Sequence, residues 1–246
     1  MKRIFFTILI FSGIIFADAP SGIQLLNKMI SMMNQKNAKA VMTQTIETSS
    51  GATRTFEYDS FISNDGKNSL MRYKKPSRVR GNAILMTDYS DNIWSYNQRT
   101  RRVRKLASHA KKQKFEGSDF TYEDMSSGDS WKKDYTPKFI KTVKINGNDC
   151  YKVKLTKKNN DISYSKLVCF IRVSDFFPIQ IDYYDGDKKL LKSLYLQDIQ
   201  KVENILTPMK MVMKNHQENT QTTMEYKSIT YDVNFNKRFF TSNNMK

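Results

Sequence analysis

The chain has 246 residues and a formal net charge of +17, and 39% of its residues are hydrophobic. This length suits one large domain or two small ones, and the apolar content argues against intrinsic disorder. Two cysteines are too few for a disulfide scaffold or for a zinc site with four thiolate ligands.

The beginning of the chain is typical of a secretory signal peptide. A basic pair precedes an apolar run of 13 residues, and small residues follow at Ala17 and Ala19. That run is shorter than the roughly 20 residues of a transmembrane helix. We expect a signal peptide over residues 1–17, cleaved after Ala17 with Ala19 as the other choice, and one domain over 18–246. An uncleaved membrane anchor is the alternative.

One amphipathic helix is predicted after the signal peptide. Ser21 can cap its start, and the helix should end near residues 36–37. Apolar residues recur at helical spacing along it, namely Ile23, Leu26, Met29, Ile30 and Met33.

From Ala40 to Tyr231 the pattern is that of strands. Short runs rich in Val, Ile, Thr, Tyr and Phe alternate with turn signals such as Asp185-Gly186. Consecutive strands with short links pair antiparallel, and a long antiparallel sheet must curl or close. We predict a mainly β (α+β) fold, a curved, unclosed antiparallel β-barrel of about ten or eleven strands. The helix and residues 107–133 would plug or cover its concave face.

The sequence gives little support to catalysis. His109 and His216 lie far apart, and neither an H-E-x-x-H nor a G-x-S-x-G motif occurs. We expect no enzyme activity, no cofactor and no metal site. An enzyme of lipid or envelope metabolism is the alternative that these two histidines leave open.

The two cysteines are predicted to form a disulfide bond. A two-residue turn at Asn159-Asn160 would place Cys150 directly opposite Cys169. Opposed Cβ atoms lie about 4.5–5.5 Å apart, and an exported protein meets oxidising conditions.

Residues 98–114 are strongly basic and contain no acidic residue. Export argues against nucleic acid as a partner, so anionic lipid head groups or an acidic partner are the functional interpretation. The alternative is internal pairing of arginines with the acidic residues that follow, such as Asp119 and Asp124. The residues proposed for partner or head-group contact form the basic patch: Arg99, Arg101, Arg102, Arg104 and Lys105.

Three strings resemble LolA-like outer-membrane lipoprotein-sorting proteins, in the subgroup associated with RND-type exporters. They are Ile93-Trp94-Ser95-Tyr96, Arg101-Arg102-Val103-Arg104-Lys105-Leu106 and Phe115-Glu116-Gly117-Ser118-Asp119-Phe120-Thr121-Tyr122-Glu123-Asp124. The resemblance covers most of the chain after the signal peptide. It implies an unclosed antiparallel barrel with helices in its mouth, which binds lipid or lipoprotein acyl chains in a hydrophobic cavity without catalysis.

The resemblance also implies passage across the periplasm of a Gram-negative cell. An inner-membrane RND-type transporter or an outer-membrane acceptor would then be the partner, and the sequence leaves the oligomeric state open. The alternative is an accessory protein of an RND-type envelope exporter that uses the same fold for interaction and carries no lipid.

The cavity of such a carrier needs adaptable apolar residues, and the chain has 13 Met and 15 Phe. Residues 107–133 could act as a mobile flap over it. Six residues are candidates for the cavity wall and lid, although each could equally be ordinary core: Leu85, Trp94, Tyr96, Phe115, Phe120 and Tyr122.

Overall fold

The computed structural model describes residues 20–33, 36–63, 66–126, 130–160 and 162–246. The predicted signal peptide lies outside these residues and stays a prediction. Within the described ranges, no helix combines the length and the apolar character that crossing a membrane requires.

In this part of the chain thirteen strands form one antiparallel sheet. The strands are β1 (Ala38–Glu47), β2 (Thr53–Ile62), β3 (Ser69–Lys75), β4 (Ala83–Thr87), β5 (Asn92–Asn97), β6 (Arg102–Lys105), β7 (Tyr135–Ile145), β8 (Asn148–Lys157), β9 (Lys166–Arg172), β10 (Pro178–Tyr184), β11 (Leu190–Val202), β12 (Ile205–Asn215) and β13 (Thr220–Tyr231). Their spatial order is β6-β5-β4-β3-β2-β1-β13-β12-β11-β10-β9-β8-β7. The sheet is not closed, because β6 and β7 are its two edges.

This architecture confirms the predicted unclosed antiparallel barrel. The sheet has thirteen strands, more than the predicted ten or eleven. Three short strands of four to six residues, β4 to β6, extend it at one edge. The chain runs outward from the centre to β6, crosses to β7 and returns to the centre at β13. Residues 106–134, here called the crossover segment, make that crossing and include the short helix α2 (Ser130–Asp134).

Single turns of 3-10 helix complete the connections. Three of them lie in the crossover segment, one follows β3 and one ends the chain. Their bounds are Ser77–Val79, Ser108–Lys112, Phe115–Gly117, Asp124–Ser126 and Ser242–Met245.

The helix α1 (Gly22–Met33) begins with a capping box. The Gln24 N–H donates to Ser21 Oγ at 3.3 Å, and the Ser21 N–H donates to Gln24 Oε1 at 2.9 Å. The predicted cap at Ser21 is therefore confirmed, whereas the helix ends at Met33, short of residues 36–37. Its buried face packs against the sheet with Leu25, Leu26, Met29 and Ile30.

Gly22 allows the start of α1 to approach the edge strand β7 closely. A Cβ atom on Gly22 would lie 2.8 Å from the backbone of Pro137 and of Lys138. A side chain at this position would therefore push the helix away from the sheet.

Alternation along each strand separates an inner face from an outer face. The inner face packs against α1 and the crossover segment in the main core cluster, with residues such as Met42, Tyr58 and Met224. On the outer face, residues 232–246, the C-terminal segment, cover β2 to β6. Phe235, Phe239 and Phe240 pack there against Phe61, Leu70, Leu85 and Tyr96.

The predicted disulfide between Cys150 and Cys169 is wrong, because both thiols are free. In the pairing of β8 with β9, Cys150 lies opposite Arg172 and Cys169 opposite Val153. The two strands are joined by a longer loop instead of a two-residue turn, which shifts the register. Cys169 belongs to the main core cluster and Cys150 to a cluster on the outer face, so their side chains point to opposite sides.

We therefore expect the purified protein to have the same intact mass with and without a reductant. After unfolding, a thiol-alkylating reagent should add to both Cys150 and Cys169. In the folded state Cys169 should react slowly, since burial raises the pKa of its thiol. A mass lower by two hydrogens without reductant would contradict this register.

Candidate functional site

A cavity of about 190 Å³ lies on the inner face of the sheet. Its wall is mainly apolar, and the few polar residues in it include Ser60, Ser69 and Asp124. Six of its lining residues are methionines, whose unbranched side chains adapt to irregular shapes. We call it the methionine cavity; these six residues are Met33, Met42, Met71, Met125, Met211 and Met224.

The sheet forms one wall of the methionine cavity, and segments outside the sheet form the other. Across neighbouring strands, Met71 lies opposite Ser60 and Met211 lies opposite Met224. Met33 reaches the cavity from the end of α1, and Phe120 reaches it from the crossover segment. Access to this space therefore depends on how firmly the crossover segment is held.

The string at residues 115–124 folds into a compact loop against the sheet. The Phe115 N–H donates to the Phe120 carbonyl at 2.7 Å, and the rings of Phe115 and Tyr122 meet edge to face at 5.4 Å. Gly117 has a φ of +73°, in the left-handed region that glycine tolerates best. The loop thereby presents its aromatic residues to the main core cluster.

Asp119 connects this loop to β13. Its side chain is buried, and it accepts hydrogen bonds from the hydroxyls of Thr220 and Thr222, the second at 2.8 Å. The Asp119 N–H donates in turn to Thr222 Oγ1 at 2.9 Å. These bonds give both oxygens of the buried carboxylate a partner.

Asp124 connects the loop to β11 through a buried ion pair. Lys192 Nζ lies 2.5 Å from Asp124 Oδ2, and the two side chains are 3% and 2% exposed. Lys192 also donates to the Asp119 carbonyl at 2.9 Å, and Tyr164 donates to Asp124 Oδ1 at 2.8 Å. Burial raises the pKa of Tyr164, so its hydroxyl remains a donor.

The structure places the six predicted cavity residues in two groups. Phe120 lines the methionine cavity, and Phe115 and Tyr122 pack beside it in the main core cluster. The prediction is wrong for the other three, which lie on the outer face. On their strands the neighbouring residues, such as Ile84 and Ile93, point inward instead. Those three residues lie with the aromatic residues of the C-terminal segment: Leu85, Trp94 and Tyr96.

The methionines were not among the predicted cavity residues, although a signal for them exists. Met42, Met71, Met211 and Met224 occupy inward positions of four different strands. Methionines at alternate positions of predicted strands, as at Met211 and Met213, indicate such a lining.

The basic patch lies at the β6 edge, and its five side chains are exposed. Among the described residues none of them forms an ion pair, whereas Lys111 and Lys114 nearby pair with Asp91 and Glu218. The predicted alternative, in which the arginines pair with Asp119 or Asp124, is wrong because those two carboxylates bond to other residues. Lys105 alone has a close aromatic contact, with its Nζ 5.3 Å from the Trp94 ring.

A serine and a histidine meet on neighbouring strands. Ser193 Oγ lies 2.9 Å from His216 Nε2 and donates to Asp182 Oδ1 at 2.7 Å. In a serine-hydrolase triad the aspartate orients the histidine, whereas here it binds the serine. The described residues contain no group of three or more His, Cys, Asp or Glu that could hold a metal ion.

Comparisons with known proteins place the chain in a family. A family model described as "uncharacterized protein" matches residues 65–246. The chain belongs to this family. A comparison with curated proteins finds no match.

Solved structures share the fold of this family member. A DUF1329 family protein from Desulfovibrio piger has a TM-score of 0.82 and 23% identity, covering 92% of this chain and 98% of that one. A putative outer membrane lipoprotein-sorting protein domain from Vibrio parahaemolyticus has a TM-score of 0.77 and 22% identity, covering 89% and 99%. A LolA superfamily protein from Nitrosomonas europaea has a TM-score of 0.74 and 18% identity, covering 91% and 98%.

These structural similarities confirm the LolA-like fold that the sequence predicts. They do not test whether the protein belongs to the subgroup associated with RND-type exporters, so that assignment stays a prediction.

We expect replacement of Lys192 by methionine to lower the free energy of unfolding by about 3–5 kcal/mol, because the Asp124 carboxylate would stay buried without its cation. The double variant Lys192→Met with Asp124→Asn removes both charges and keeps an acceptor for Tyr164. It should lose much less stability. Urea denaturation of the three proteins measures the difference, and equal losses in both variants would contradict a role for the unpaired charge.

Proposed function

We propose that the protein is a periplasmic carrier that binds acyl chains of lipids or lipoproteins in the methionine cavity and moves them between envelope membranes without catalysis. The methionine cavity is the observation that carries this proposal, because it offers an apolar space on the inner face of an open sheet. The similar domain from Vibrio parahaemolyticus, described as putative outer membrane lipoprotein-sorting, supports it. The predicted signal peptide at residues 1–17 supports export.

The size of the cavity sets a condition on this function. Each buried methylene contributes about 0.8 kcal/mol, so a long acyl chain gains most when it is buried entirely. A space of about 190 Å³ holds a short part of such a chain. The crossover segment therefore has to move away for the rest, as its attachment through side-chain bonds of Asp119 and Asp124 permits.

A larger side chain in the cavity should occupy space that the acyl chain needs. Ser60 is buried and lines the cavity, so Ser60→Leu adds apolar atoms to the empty space while the sheet stays intact. We expect affinity for a fluorescent fatty-acid probe to fall roughly tenfold, since the space for about two methylenes is lost. Ser60→Ala, which keeps the space open, is the matched control and should bind like the unmodified protein.

Native mass spectrometry of protein taken from its own cells tests the carrier function directly. Bound acyl species, reduced in Ser60→Leu and kept in Ser60→Ala, are the expected result. An unliganded mass under gentle conditions in all three proteins, together with no probe binding, would overturn the proposal.

The basic patch is the second part of the proposal, as the surface that meets anionic head groups or a membrane-bound partner. Five exposed cations without ion pairs in the described part of the chain attract anionic surfaces, at about 1 kcal/mol for each cation near the surface. The inner-membrane RND-type transporter and the outer-membrane acceptor are the partners proposed for this contact.

Neutralising the basic patch should weaken binding to anionic membranes and leave the stability of the fold unchanged. In Arg101→Gln, Arg102→Gln, Arg104→Gln we expect sedimentation with anionic phosphatidylglycerol vesicles to be largely lost and the melting temperature to stay within about two degrees. The control removes three exposed lysines elsewhere, in Lys138→Gln, Lys141→Gln, Lys188→Gln. Equal losses in the two triple variants would indicate an effect of net charge alone and contradict a role for the patch.

The exposed, unpaired arginines also favour a second candidate function. An accessory protein of an RND-type envelope exporter would use this edge for interaction and would hold no lipid. The mass-spectrometry experiment distinguishes the two, because only the carrier should contain acyl species.

A further inference from the structure

The methionine cavity concentrates one chemical group, the thioether. Methionines are six of its fifteen described lining residues, although the whole chain has 13 methionines among 246 residues. Adaptable packing requires that each side chain be flexible, and it does not require methionines to be neighbours. Thioethers gathered around one space have a further property, because their sulfur atoms are ligands for soft metal ions.

Three of these methionines are neighbours on the central strands of the sheet. Met211 on β12 lies directly opposite Met224 on β13, with about 4.5–5.5 Å expected between their Cβ atoms. Met224 also lies opposite Gln44 on β1, which makes Met42 its diagonal neighbour, within reach of long side chains. Metal–sulfur bonds are about 2.3 Å long in zinc sites, and bonds of that length join sulfur atoms up to about 4.6 Å apart. The three thioethers can therefore converge on one ion.

The opposite wall of the cavity contributes two more thioethers. Met33 reaches the space from the end of α1, and Met125 reaches it from the crossover segment. On the sheet side, the Tyr58 hydroxyl donates to Met224 Sδ at 3.9 Å, which places this sulfur atom on the inner face. A thioether sulfur has two lone pairs, so this contact leaves one for a metal ion. An ion bound to the strand methionines would thus be enclosed by sulfur from both walls.

The charge of the cavity wall is compatible with a cation. Among the lining residues that the structure describes, Asp124 is the only charged one. Lys192 lies behind it, and its positive charge is balanced by the Asp124 carboxylate. Hard cations such as Ca²⁺ and Mg²⁺ require several oxygen ligands, whereas a wall rich in thioethers selects copper(I).

We propose that the methionine cavity binds a copper(I) ion through the thioether sulfur atoms of Met42, Met211 and Met224. This function goes beyond the proposed carriage of acyl chains, although it uses the same space. Because the cavity holds only about 190 Å³, the ion and an acyl chain should exclude each other.

Titration with copper(I) under anaerobic conditions tests this inference. Bathocuproine disulfonate serves as the competing chelator, and native mass spectrometry measures the stoichiometry. The unmodified protein should bind one copper(I) ion per chain, and X-ray absorption at the copper edge should show sulfur neighbours. In Met211→Leu, Met224→Leu the affinity should fall at least about tenfold, because two of the three ligands are lost. Leucine keeps the apolar volume, so the variant should remain folded.

The double variant Met29→Leu, Met245→Leu is the matched control. Both methionines are buried, and neither lines the methionine cavity. The affinity of this control for copper(I) should equal that of the unmodified protein. Equal losses in the two double variants, or no loss in either of them, would overturn the assignment, and so would a copper ion with only nitrogen and oxygen neighbours.

The two free thiols are competing soft ligands. Burial raises the pKa of both Cys150 and Cys169, which disfavours the thiolate form that binds metals. The variant Cys150→Ala, Cys169→Ala should therefore bind copper(I) as tightly as the unmodified protein. Loss of the ion in this variant would assign it to the thiols and overturn the role of the methionines.

A fluorescent fatty-acid probe distinguishes this inference from the carrier function. Loading with copper(I) should weaken binding of the probe, because both ligands need the same space. If the probe binds and copper(I) does not, the metal site is overturned and the carrier function stands. If copper(I) binds and the unloaded protein does not bind the probe, the metal site is supported and the carrier function is overturned. Binding of both at once would place the ion outside the cavity and overturn the assignment.

Discussion

The inner face of the open sheet is covered by residues that are not part of it, and side-chain bonds hold much of that cover in place. Asp119 and Asp124 connect the crossover segment to β13 and β11 through buried side chains. A cover joined through strand pairing would have to break a ladder of backbone bonds to open. Here the cover is held by side-chain contacts between the two layers, namely these bonds together with the buried aromatic residues Phe115, Phe120 and Tyr122.

The composition of the interior fits a cover of this kind. A cavity lined by methionines can change shape without forcing strained rotamers, since thioether side chains are long, unbranched and polarizable. The outer face differs, because aromatic residues of the C-terminal segment pack there against the strands next to the β6 edge. The molecule thus combines an adaptable inner layer with an aromatic outer one, on opposite sides of the same strands.

Much of the fold could be predicted from local pattern, because turn residues and alternation act over short distances. The helix cap at Ser21, the antiparallel sheet and its open form follow from such signals. The position of Phe120 in the cavity wall does not, because Phe120 lies in an irregular loop where alternation gives no face. The register of β8 with β9 could not, since it depends on a loop that is longer than the turn signal indicates. Short strands leave the buried face ambiguous, and Leu85, Trp94 and Tyr96, which are predicted for the cavity, lie on the outer face.

The position of β1 beside β13 has a consequence for how the chain assembles. Ala38 pairs with Tyr231, so the centre of the sheet joins the two ends of the described chain. Hairpins such as β4–β5 can form as soon as their own residues are available, whereas this pairing must wait for almost the entire polypeptide. Until then β1 lacks its partner on that side, and an edge strand without a partner can pair with other chains. A chain that emerges from a translocation pore beginning with its N-terminus would spend that interval exposed to other polypeptides, and its maturation would depend on release of the final strand.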